Sequence, residues 1–144
     1  MPGRFALDSS VMVAAVCTWH ERHRDATVEI EQRLAAGQHL AVAAHALAEA
    51  YAVLTRLPAP HRLAPADAWA LVHTNFIKAA TVVALTGPGL VKVLAALAAA
   101  DVGGGRTYDA LIAACAKQAR VGALLTFNPR HFDPAPEGVA IVEP

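Results

Sequence analysis

Charge is scarce in this sequence and favours neither sign. Only 17% of the 144 residues are Asp, Glu, Lys or Arg, and 12 acids balance 12 bases. That excludes a protein drawn to nucleic acid by net charge, so any such binding needs a local patch or bound cations. Cysteine is almost absent. Cys17 and Cys115 lie in apolar stretches, which excludes a disulfide framework and suits two buried thiols in a reducing compartment. Long apolar runs are missing too. None approaches the ~20 residues that span a bilayer, and Asp8 interrupts the core that "MPGRFALDSSVMVAAVCTW" would need as a secretion signal. The expectation is a cytoplasmic protein without a membrane segment. Repeats, linkers and low-complexity tails are lacking as well, apart from a bias to alanine.

What is present is apolar: 56% of the residues are hydrophobic, enough for one compact domain over residues 1–144. Short apolar runs read as strands: "RFAL", "HLAVAA", "ATVVAL", "GALLTF" and "GVAIVE". Between them stand helical stretches. "SSVMVAAVCTW" has Ser9 or Ser10 available as N-cap, and "DATVEIEQRLAAG" turns Val28, Ile30 and Leu34 inward and ends at Gly37. "HALAEAYAVLTRL" stops at Pro58, "PADAWALVHTNF" starts with Pro65, and "LVKVLAALAAADV" ends in the glycine run before "TYDALIAACAKQAR". Strands alternating with helices of about a dozen residues predict βα units around a mostly parallel sheet of four to five strands, covered on both faces.

The few charges are placed tellingly. Asp8 is the only one between Arg4 and Glu21, Glu49 the only one between Arg33 and Thr55, and Asp109 the only one between Arg106 and Lys117. A lone carboxylate in an apolar segment needs hydrogen bonds, a cation or a metal, and none of the three has a basic residue three or four positions ahead. Asp8 follows the first strand, Glu49 lies in the helix after the second, and Asp109 lies in the first turn of its helix. In a parallel α/β sheet, strand carboxyl ends form the ligand crevice, so the three can converge. Converging carboxylates repel, and a hard divalent cation, Mg²⁺ or Mn²⁺, resolves the conflict and can activate water against a phosphodiester. Each residue also has a plainer reading: Asp8 as an N-cap, Asp109 as a dipole-complementing acid behind a Thr107 cap, and Glu49 as a solvated rim residue.

"LLTFNPRHF" adds Thr126 and Asn128 at the end of a strand, where Asn128 could orient water or simply start a turn. Arg56, Arg62 and Arg130 flank these segments and could hold phosphates around such a pocket. Other patterns carry less. "HERH" lacks metal-site spacing, and "GGGR" lacks the spacing and preceding strand of a phosphate loop. His45 and Glu49, four residues apart on one helix, have a workable transition-metal spacing.

The ordered set "LDSSV", "AEAYAVLTRLP", "RTYDALIAACA" and "LLTFNPRHF", spread over essentially the whole chain, resembles a PIN-domain ribonuclease, specifically a VapC-type toxin of a bacterial toxin–antitoxin pair. The resemblance implies a PIN-like three-layer αβα sandwich. It implies that Asp8, Glu49 and Asp109 are the catalytic, metal-holding acids, with Asn128 at a fourth position that is often acidic in the wider group. With an amide there, a fully occupied second metal site is not expected. It places Thr126 and Ser9 near the acids. It further implies an endoribonuclease that cuts structured RNA such as transfer or ribosomal RNA, a VapB-like antitoxin that blocks the pocket, and a homodimer. The alternative is a catalytically inactive PIN-fold module that binds RNA or protein. A small-molecule phosphatase or hydrolase is a third reading, weakened by the missing nucleophile motifs.

Overall fold

The computed structural model describes residues 3–144. Among them five strands and six helices alternate: β1 (Arg4–Leu7), α1 (Ser9–Val16), α2 (His23–Ala35), β2 (His39–Ala43), α3 (Ala44–Arg56), α4 (Pro65–Phe76), β3 (Thr81–Val83), α5 (Gly87–Ala99), α6 (Arg106–Gln118), β4 (Ala123–Leu125) and β5 (Ala140–Val142), with a 3-10 turn at Pro129–Phe132. The strand order is β3-β2-β1-β4-β5, and every pairing is parallel. The sheet is thus wholly parallel with five strands, flanked by helices in the three-layer α/β arrangement of a PIN-like sandwich.

The central strands are apolar on both faces, as burial between two helical layers requires. Phe5, Leu7, Val42, Leu124 and Leu125 are completely buried, whereas Val82 on the edge strand β3 is exposed. From β1 the chain steps outward to β2 and β3, then returns to β4 and β5 on the other side. The order therefore reverses between β1 and β4, where the strand carboxyl ends open a crevice. Leu7 is in register with Leu125, so the next residues, Asp8 and Thr126, face each other across that crevice.

Local chemistry accounts for most helix ends. Pro58 forces the preceding Leu57 into an extended conformation (ψ 150°) and stops α3 at Arg56. Gly37, at φ 83°, closes the turn after α2. Pro65 opens α4 from its first turn. Four expectations are corrected. α1 ends at Val16 rather than Trp19, because Cys17 turns extended and Trp19 leaves to stack on His61 with ring centroids 4.1 Å apart. "GPG" does not precede α5 but forms its first turn, since the Thr86 side chain caps Gly89 N–H at 3.1 Å. α6 starts at Arg106, so Thr107 lies inside it and is not the N-cap; Gly105 occupies that position. On α2, Val28 and Leu34 are exposed, Ile30 is half-buried and Ala26 is the buried residue. α2 packs on α1 and β2 through that one stripe, and Val28 stands about 200° round the helix from Ala26.

Candidate active site

Asp8 is held by both strands that border the crevice. It caps α1, its Oδ1 accepting from Val11 N–H at 3.1 Å and from Ser10 Oγ at 2.6 Å. Its Oδ2 accepts from Thr126 Oγ1, 118 residues away. Each hydroxyl in turn accepts a backbone N–H: Phe127 N–H donates to Ser10 Oγ at 3.2 Å and Asn128 N–H to Thr126 Oγ1 at 2.9 Å. These backbone donors leave each hydroxyl hydrogen free to point at Asp8. It is Ser10, not Ser9, that reaches the acid. Asp8 is 3% exposed, and Asp8 and Thr126 are the buried polar residues of the described chain. Burial pushes the Asp8 carboxyl above its ordinary range despite the opposing hydrogen bonds.

Oδ1 already accepts two hydrogen bonds and Oδ2 one. With about two lone pairs per carboxylate oxygen, Asp8 has one direction left to offer. Thr126→Val should leave Oδ2 without its donor and cost about 1–3 kcal/mol at neutral pH. Thr126→Ser should recover most of it. The loss should shrink as acid protonates Asp8 in both proteins. Urea melts across pH check this, and a loss independent of pH would assign the effect to packing.

Glu49 stands in the middle of α3 and Asp109 in the first turn of α6, two helices that touch. Burial raises the Glu49 carboxyl above its usual range, and the charges of Asp109 and Asp8 raise it further against the opposing pull of Arg56. Asp109 is raised chiefly by burial and also by Asp8, while His131, Arg106 and His45 oppose. Glu49 and Asp109 therefore both feel the charge of Asp8 and are less willing to ionise because of it. Asp109 Oδ2 lies 3.3 Å from His131 Nδ1, on the 3-10 turn. His45 Nε2 lies 3.3 Å from Glu49 Oε1 but out of line for a hydrogen bond, leaving both buried atoms without a partner. Burial also lowers the His45 pKa, which favours a neutral ring and makes this a contact rather than an ion pair.

The other expected residues are spread more widely. Asn128 is exposed, and its backbone donates to Thr126 Oγ1 and accepts from His131 N–H. Arg56 lines a cleft of about 320 Å³ together with Glu49, His45 and Tyr108. Arg62 instead folds back onto its own loop, Nε donating to Leu57 O at 2.9 Å. Arg130 lines a different hollow with Pro129, Phe132 and Asp133. The structure thus brings together Asp8, Glu49, Asp109 and Arg56. It adds His131 beside Asp109, and Tyr108, whose ring stacks on His45.

An oxygen donor set with an orphaned Glu49 Oε1 and mutual repulsion suits a hard cation. Among the described residues, however, no three His, Cys, Asp or Glu side chains stand close enough to grip a metal as they are. A hydrated Mg²⁺ held through one or two carboxylates and its own waters is compatible with that spacing.

The PIN domain family matches residues 5–136. Ribonuclease VapC40 of Mycobacterium tuberculosis is 44% identical over 114 residues, 79% of each chain. VapC20 of the same organism, a sarcin–ricin loop cleaving toxin, superposes with a TM-score of 0.70 at 20% identity, covering 94% of this chain and 98% of that one. VapBC-5, also from Mycobacterium tuberculosis and a member of the VapBC family of toxin–antitoxin systems, gives a TM-score of 0.57 at 18% identity over 99% of this chain and 100% of that one. The two superpositions speak for the fold, and the family match and the 44% identity for descent. The chain belongs to the PIN-domain family, in its VapC branch.

Proposed function

We propose that this protein is a divalent-metal-dependent endoribonuclease, the toxin of a toxin–antitoxin pair, acting in the cytoplasm on RNA such as transfer or ribosomal RNA and silenced by a VapB-like antitoxin. The carrying observation is that Asp8 follows β1 where the strand order reverses, while Glu49 and Asp109, each otherwise alone in an apolar segment, lie on touching helices and both feel its charge. The ribonuclease name of the VapC40 relative and the VapBC complex among similar structures support the reading.

In this reading Asp8, Glu49 and Asp109 hold Mg²⁺ or Mn²⁺. When bound, the ion supplies charge neutralisation at a phosphodiester and an activated water. Asp8 is aimed by Ser10 and Thr126, so its one free lone pair has a fixed direction. Glu49 offers the orphaned Oε1. His131 holds Asp109 from the outer side. Asn128, beyond Thr126, contributes a neutral amide in place of a fourth acid, which favours one firmly held ion over two.

Arg56 is the phosphate-binding candidate that shares the cleft. Arg56→Ala should weaken RNA binding and lower its salt slope by about 1. Arg62→Ala and Arg130→Ala should do less, given where they lie. Equal slopes for all three variants and the parent would move the RNA path elsewhere. For the homodimer, α5 offers an apolar face on which Leu90, Val91 and Leu94 are exposed.

One observation favours the alternative, a catalytically inactive module that binds RNA or protein: the acids do not grip a metal as they stand. Incubating the purified protein with total RNA separates the two. The nuclease reading expects discrete fragments with Mg²⁺ or Mn²⁺ and intact RNA with a chelator. Intact RNA under all three conditions favours the binding module.

A further inference from the structure

Tyr108 stands next to Asp109 in sequence, yet 49% of it is exposed. Its ring lies parallel to that of His45, with centroids 4.8 Å and planes 12° apart. This stack forms one wall of the 320 Å³ cleft, whose lining includes Ala48 and Ala52 on α3, Glu49 and Arg56. Ala48 and Ala52 are one helical turn apart and both exposed, so the space exists because α3 carries methyl groups there. Half-exposed aromatic surface over a small apolar floor is poor packing for a core, since the Tyr ring stays largely wet. It is a good receptacle for one planar ring system. The volume falls at the low end of the range for small-molecule sites, about 300–1,000 Å³, too small for a duplex. The polar groups at the cleft match the rest of a nucleotide: the Arg56 guanidinium suits a phosphate, and Glu49 belongs to the acidic centre.

We propose that this cleft is a nucleobase subsite, in which the base of an unpaired RNA nucleotide beside the scissile phosphate stacks on the free face of Tyr108, whose other face rests on His45. The proposal rests on the nuclease reading and extends it from the phosphate to the base. Stacking needs only a π face, so the subsite selects an unpaired nucleotide over a paired one and tolerates different bases.

The test uses an eight-nucleotide RNA carrying a single 2-aminopurine, whose fluorescence falls when it stacks, moved along the sequence position by position. It is bound to the Asp109→Asn protein so that it is not cut, with anisotropy reporting binding. At one position the fluorescence should fall on binding. Tyr108→Phe should keep that quenching. Tyr108→Ala should lose it, and affinity should drop about 5- to 150-fold, the range for removing one stacked base. Ala52→Phe, which fills the cleft from an exposed helix position, should lose it as well. In the cleaving parent background, Tyr108→Ala should raise KM more than it lowers kcat.

Quenching that survives in Tyr108→Ala overturns the subsite. So does RNA that binds without quenching at any position. A parent that binds and quenches but never cuts RNA sinks the nuclease reading and leaves the subsite standing. A parent that cuts RNA with no quenching anywhere does the reverse. Absence of RNA binding overturns both.

Discussion

Asp109→Asn protein is expected to fold like the parent and to lose more than about 100-fold in RNA cleavage, because removing even an outer-shell partner of a metal site costs about 10–100-fold. The substitution keeps volume and polarity. It also leaves the first turn of α6 intact, since the N-cap there is Gly105 and uses no side chain. What it removes is a charged oxygen from a centre already raised by burial and by Asp8. Asp8→Asn should lose activity as severely, but with a stability cost, because the Asp8 carboxylate receives Ser10, Val11 and Thr126. Single-turnover cleavage with matched melting curves checks both. A folded Asp109→Asn protein that cuts RNA at the parental rate would remove Asp109 from the site.

The second large effect concerns stability without metal. Glu49→Gln should make the apo protein more stable at neutral pH, while abolishing cleavage. The folded pKa of Glu49 lies above its ordinary value of 4.5, so the folded state binds the proton more tightly than the unfolded state. Stability therefore falls as pH rises from that ordinary value through the raised one, and the penalty is complete above it. Glutamine carries no charge and escapes this fall. The variant should melt higher than the parent at pH 7. Below pH 4.5 the difference should vanish. Added Mn²⁺ should narrow the gap from the other side by stabilising the parent more. An apo variant that is clearly less stable at pH 7 would make Glu49 a structural residue.

The alternation of short apolar runs and dozen-residue helices made the order of the elements legible, because burial on both faces leaves few polar interruptions in a parallel strand. The same scarcity exposed the acids: a single charge in a core segment is conspicuous, as Asp8 and Asp109 were. The starts of α5 and α6 were decided locally, by the Thr86 cap and by Gly105, but elsewhere the deciding contacts were distant in sequence. Periodicity marks α2 as amphipathic, but packing against α1 and β2 selected Ala26 over Val28 and Leu34. Ser9 and Ser10 are equivalent on paper, and the position of Phe127 N–H, 117 residues on, singles out Ser10. The stack of Tyr108 on His45 joins two helices and left no local signal. Arg56 shares a helix with Glu49, so its neighbourhood could be read from spacing, whereas Arg62 and Arg130 depended on loop paths that spacing does not determine.

Calorimetric titration of Mn²⁺ into the RNA-free protein tests the central claim, that Asp8, Glu49 and Asp109 jointly hold the ion. The parent should bind one Mn²⁺ firmly and a second only weakly, since Asn128 supplies no fourth charge. Asp109→Asn should lose the firm site while remaining folded, and Asn128→Asp should strengthen the second. Identical Mn²⁺ isotherms for the parent and Asp109→Asn would contradict the account. So would a parent that binds no Mn²⁺ at all.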